Sequence, residues 1–71
     1  MRYAVIIESK NNYGAYVPHL PGCVAVADTA EEVKTLIQEA IEFHLEGLRE
    51  DGESIPKPSS SIEYIEAKIS A

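Results

Sequence analysis

Apolar residues follow two rhythms along this chain. From Arg2 to Glu8, RYAVIIE, the side chains of Tyr3, Val5 and Ile7 alternate with Ala4 and Ile6, which predicts a strand apolar on both faces. Ser9 to Asn12, SKNN, supplies turn chemistry, and Tyr13 to Val17, YGAYV, predicts a second strand. Gly14 inside that strand points to a bulge or a close backbone approach. Cys23 to Ala27, CVAVA, reads as a third short strand antiparallel to the second. The period then lengthens. Val33, Leu36, Ile37, Ala40, Ile41, Leu45 and Leu48 recur at the i, i+3, i+4, i+7 spacing of an amphipathic helix from Ala30 to about Arg49. Phe43 falls at the margin of its apolar face beside Leu36, and His44 near the centre. Alternation returns from Ser61 to Ser70, with Ile65, Ala67 and Ile69 on one face and Ile62 and Tyr64 on the other. That predicts a last strand, with a short helical turn over Ser61 to Ile65 as the alternative.

Local signals punctuate these elements. In Leu20-Pro21-Gly22-Cys23, proline presets φ at the second turn position and glycine tolerates the positive φ of the third, as a type II turn requires. Thr29 is placed as an N-cap, with Glu32 three residues on to complete a capping box. Glu31 and Glu32 also sit where the positive end of the helix dipole favours them. Gly52 is a helix stop, and Glu50 to Ser61 is a connecting segment with two prolines. The expected order is β-β-β-α-β, a single α+β domain over residues 1–71 with one sheet face covered by the helix.

A chain of 71 residues is short for such a design. It buries only about 60% of the surface its unfolded form exposes. Cys23 stands alone, so no internal disulfide is available, and two histidines with one cysteine make no usual four-ligand zinc set. One helix covers one face, yet the first strand is apolar on both. The uncovered face or a free sheet edge is therefore expected to meet another chain, as a dimer or tetramer. Twelve acidic against six basic side chains give a formal charge of −6. The scattered bases Arg2, Lys10, Lys34, Arg49, Lys57 and Lys68 suit nucleic acid poorly, and a basic protein partner better. No apolar run reaches the length of a membrane span or a signal core, and a free cysteine fits a reducing compartment. The expectation is a soluble cytoplasmic module with no membrane partner.

Candidate chemistry is sparse. His19 and Cys23 lie four apart across the Pro-Gly turn, the spacing that suggests a Cys–His nucleophile, but no third orienting group stands nearby. The plainer reading is a packed Cys23 and a solvent-facing His19. His44 reads as a hydrogen-bonded core residue, with a ligand or pH-sensitive role as the alternative. Glu39, Glu42, Glu46 and Glu50 line the helix face opposite the apolar stripe. Like charges at i, i+4 cost a few tenths of a kcal/mol each, so they are not there for helix stability. No phosphate-binding glycine loop occurs, and no catalytic, cofactor-binding or metal residue is assigned. The chain is not expected to be an enzyme.

The segments VPHLPGCVAVADTAEEV and EAIEFHLEGLREDGESIPKPSS, in this order and spacing, resemble the amino-terminal domain of the HicB-like antitoxin family. The resemblance runs from Met1 to about Ser60. It implies a partial ribonuclease-H-like fold whose small mixed sheet has the order 3-2-1-4, the last strand lying beside the first. It also implies loss of the metal-binding acids of true nucleases, in keeping with the few strand carboxylates here. The implied activity is type II antitoxin action, binding and inhibiting a small basic HicA-like toxin that has a double-stranded-RNA-binding-like fold and cleaves messenger RNA. Glu39, Glu42, Glu46 and Glu50 are the expected docking residues. Many family members continue into a promoter-binding domain. None follows here before Ala71, so direct binding of nucleic acid is not expected of this chain. The family often has an acidic residue where His19 stands, which bears on partner identity. From another class, the alternative is an orphan scaffold or ligand-sensing domain without a toxin.

Overall fold

A computed structural model describes residues 1–69 of the chain. Three strands, β1 (Ile6–Ser9), β2 (Tyr13–Tyr16) and β3 (Val24–Ala27), form an antiparallel sheet in the order β1-β2-β3, followed by one helix, α1 (Ala30–Glu50). Ile6 stands opposite Tyr16, and Tyr16 opposite Val24. One face therefore carries Ile7, Ala15 and Ala25 in a row, and the other carries Ile6, Tyr16 and Val24.

The predicted turn and caps form. Gly22 has φ +84°, and the Cys23 N–H donates to the Leu20 carbonyl at 3.0 Å, closing the Pro-Gly turn. A second bond, from the Val17 N–H to the Cys23 carbonyl at 3.2 Å, carries pairing past the end of β2. Thr29 Oγ1 accepts from the Glu32 N–H at 3.1 Å. The Thr29 hydroxyl donates to the Glu32 carboxylate at 3.1 Å, so the box closes side chain to side chain. At the other end Gly52 has φ +72°. Its N–H reaches the Arg49 carbonyl at 3.1 Å and the Glu53 N–H reaches the Leu48 carbonyl at 2.9 Å, a Schellman pair that stops the helix.

The core comprises Ala15, Val17, Leu20, Cys23, Ala27, Val33 and Ile37, with Tyr3, Val5, Tyr13, Ala25, Ala40, Ile41 and Leu45 packed around it. Leu20 and Val33 are its largest fully enclosed side chains. The turn loop thus plugs the core as well as linking strands. Helix α1 lies over β3 and β2 but not over β1.

Three expectations need correction. The first strand begins at Ile6, not Arg2. In the observed register Pro18 would stand opposite Ala4, and proline has no N–H to extend the ladder. Gly14 makes no bulge: it pairs regularly with Glu8 and Val26, and a Cβ there would meet nothing within 4 Å. No helix or strand is assigned to residues 53–69, so the fourth strand of the expected 3-2-1-4 order is not formed among the described residues, and its end at Ser70 lies outside them. The alternative helical turn at Ser61 to Ile65 is not formed either. The small α+β architecture, with the helix on one side of the sheet, stands.

Candidate functional site

Three surfaces of the molecule lack cover among the described residues. The first is on α1. Phe43 is 83% exposed, and Leu36 one repeat earlier is exposed too. Residues three, four and seven apart share a helix face, so Glu39, Glu46 and Glu50 lie on the Phe43 face of α1, along one side of the ring. Glu46 bonds Arg49 at 3.0 Å, both ends open to water. An aromatic body set in a carboxylate field has the composition of a docking anchor for a cationic protein, apolar at the centre and charged at the rim.

The second surface is the sheet face turned away from α1. Tyr16, Val24 and Val26 are exposed, the two valines at 61%, with Ile6 half-buried beside them. Gly14, between Glu8 and Val26, puts no side chain on this face. The third is a cleft of about 440 Å³ between α1 and β1, walled by Tyr3, Val5 and Ile7 on one side and Ile37, Ile41 and Leu45 on the other. It exists because α1 stops short of β1. Lys34, Gln38 and Glu42 rim it.

The four glutamates expected to dock a partner are all exposed on α1. Glu39, Glu46 and Glu50 lie on the Phe43 face, whereas Glu42 turns to the cleft. Phe43 itself was not among the expected docking residues. The usable signal was an aromatic flanked at i−4 and i+3 by glutamates and offset from the buried Val33–Ile37 line.

The His19–Cys23 pair does not assemble. Cys23 is buried in the core, and burial pushes its thiol pKa up, the wrong direction for a thiolate nucleophile. His19 Nε2 instead hydrogen-bonds Ser59 Oγ at 2.9 Å, tying the turn loop to the segment after the helix. His44 is half-buried, and among the described residues its ring makes no hydrogen bond, unlike the bonded core histidine expected. Among those residues no three His, Cys, Asp or Glu side chains converge to hold a metal ion, and no helix is long and apolar enough to cross a membrane.

Comparison with known proteins places relatives beside these surfaces. The family model for the HicB-like antitoxin of bacterial toxin–antitoxin systems matches residues 3–70. A 14.9 kDa protein of the rep–hol intergenic region of Haemophilus phage HP1 is 42% identical over 66 residues, 92% of this chain but 50% of that protein. A UPF0150 protein of Archaeoglobus fulgidus is 36% identical over 72 residues, 96% of this chain and 97% of its own. A UPF0150 protein of Helicobacter pylori is 46% identical over 48 residues, 68% and 67% of the two chains. This chain thus spans half the length of the phage relative and nearly all of the archaeal one. No solved structure matches.

Proposed function

The chain belongs to the HicB-like family of antitoxins of bacterial toxin–antitoxin systems, and on that premise we propose that it binds and inhibits a small basic HicA-like toxin that cleaves messenger RNA. The observation that carries this reading is the Phe43 surface: a nearly bare aromatic ring on the helix face that also carries the exposed Glu39, Glu46 and Glu50, in a chain of net charge −6. Neither feature stabilises the isolated fold. An exposed Phe gains no burial, and clustered carboxylates repel. Both are favourable against a cationic partner, where the ring is buried and the carboxylates steer approach. The protein acts by occupying the toxin, with no catalytic step of its own.

The family resemblance also supports a partial ribonuclease-H-like arrangement in which the segment 61–69 joins the sheet beside β1, giving the order 3-2-1-4. The open sheet face and the uncovered cleft support self-association. A cytoplasmic location fits a partner that acts on messenger RNA and a single free cysteine.

Co-expression tests the reading. Growth arrested by a HicA-like toxin should be restored by this chain. Restoration should weaken with Glu39→Lys and Glu46→Lys, whose association with the purified toxin should slow in a salt-dependent manner. Full rescue by the charge-reversed chain, with unchanged association kinetics, refutes the proposed surface. Failure of the unaltered chain to bind any such toxin refutes the function.

A further inference from the structure

The cleft between α1 and β1 and the segment beyond Ser60 are complementary parts of one chain, each unfilled. Among the described residues no strand lies beside the outer edge of β1, the edge position at which a further strand can pair. Below that edge Tyr3, Val5 and Ile7 face Ile37, Ile41 and Leu45 across the apolar cleft. The segment carries what would fit. Ile65, Ala67 and Ile69 alternate with charged Glu66 and Lys68, a strand pattern with one apolar face. Yet Tyr64, Ile65 and Ile69 are 96%, 85% and 93% exposed.

The chain's own arm is led past its own cleft. The Tyr3 hydroxyl donates to the Pro56 carbonyl, and Ser59 is bonded to His19 in the loop between β2 and β3. Ser60 and Ile62 then lie beside Arg2, Tyr3 and Ala4, in the segment that precedes β1. Beyond that crossing the arm leaves the body. The radius of gyration is 14.7 Å and the long dimension 54 Å, against roughly 11 Å for the radius of a compact chain of this length.

We propose that two copies exchange these arms: residues 62–69 of one chain add a strand to the β1 edge of the other, seating Ile65, Ala67 and Ile69 in the cleft between β1 and α1. The inference rests on the fourth-strand reading above and changes which chain supplies the strand. A second copy is the occupant because each chain offers one arm and one cleft. A closed two-fold pair then satisfies both arms and both clefts with nothing left over. Main-chain pairing at β1 fixes the direction of the arm, and the apolar face fixes its register. Glu66 and Lys68 then point to the other face of the added strand, toward water, so no charge enters the apolar cleft.

Two measurements on the full chain test the exchange. Sedimentation equilibrium at micromolar concentration should give a dimer, and Ile65→Asp with Ile69→Asp should weaken it by at least a hundredfold. The helical circular-dichroism signal should stay unchanged, because both residues lie outside the body. A monomeric parent, or a dimer untouched by the double change, overturns the proposal. In the second, benzoylphenylalanine replaces Ile65 in unlabelled chain, which is refolded with nitrogen-15-labelled chain and photolysed. Adducts joining the unlabelled arm to labelled peptides from residues 1–9 or 34–45 are expected. Adducts confined to unlabelled peptides mean that the arm folds onto its own chain, which overturns the exchange and keeps the fourth strand. Adducts at neither stretch overturn both.

Discussion

Replacing Phe43 with alanine separates folding from binding in one substitution. The ring is 83% exposed and belongs to no part of the core, so its removal opens no cavity. Folding stability should stay within about 0.5 kcal/mol of the parent, the usual range for surface changes. Alanine is also the better helix former, which pushes the small residue of the effect toward stabilisation. The complex is another matter. An aromatic anchor buried at the centre of an interface contributes about 2 kcal/mol or more on truncation. At about 1.4 kcal/mol per tenfold, that predicts a Kd for the toxin raised about 30-fold. The loss should lie in the dissociation rate, because the glutamates proposed to steer encounter are left in place. Biolayer interferometry against an inactivated HicA-like toxin, paired with urea unfolding of the free protein, reads both quantities. An unchanged dissociation rate with an intact fold would remove Phe43 from the interface. A large fall in stability would mean that the ring packs somewhere the exposed geometry does not allow.

The other predictions concern the fold. Leu20→Ala empties a fully buried site in the turn loop and should cost about 2–5 kcal/mol. A chain of this length holds only roughly 4–10 kcal/mol in all, so urea midpoints should collapse; a loss below about 1 kcal/mol would show that the loop does not plug the core. Thr29→Ala removes the hydroxyl that accepts from the Glu32 N–H and should cost about 1 kcal/mol, read from the same unfolding curves, with Thr29→Ser recovering most of it. Burial raises the Cys23 pKa, so the folded state holds that proton more tightly than the unfolded one. Its contribution is complete below the unfolded thiol pKa and is lost as pH rises through the folded value. Melting temperatures should therefore fall less steeply with alkaline pH in Cys23→Ala than in the parent, and parallel curves would contradict this.

Much of this fold was legible because its signals are short-range. The Pro21-Gly22 turn, the Thr29 cap and the Gly52 stop each depend on a few neighbouring residues whose stereochemistry leaves little choice. The helix was legible because Val33, Ile37, Ile41 and Leu45 repeat over several turns. Alternation reports that a segment could pair, but pairing needs a partner at the right place. Pro18 withholds it from Ala4, so residues 2–5 were misread, and residues 61–69 carry the pattern with no neighbouring strand among the described residues. Gly14 misled in the same way. Its small size suggested a close neighbour, and the space above it is open. The glutamates were visible on the helix face, but Phe43 among them was not, because a residue at the margin of an apolar stripe reads equally well as core.

The placement of the uncovered surfaces bears on how one small domain can serve two partners. The cleft lies on the β1 side of α1, lined by Ile37, Ile41 and Leu45 with Glu42 at its rim. Phe43 with Glu39, Glu46 and Glu50 lies across the helix from it, since residues two and five positions apart point to well-separated sides. An arm seated against β1 therefore leaves the Phe43 ring clear, although Glu42 at the cleft rim is one helical turn from Glu39 and Glu46. In an arm-exchanged pair each copy keeps its own Phe43 face free, so two toxins could bind one dimer. The open sheet face with Val24 and Val26 would remain as a third contact, available for pairing of dimers. This geometry makes a sharp demand: Ile65→Asp with Ile69→Asp should dissociate the antitoxin while leaving the toxin affinity of each copy within about threefold, the error expected for distant, uncoupled sites. Loss of both together would mean that the surface at Phe43 is assembled only in the dimer.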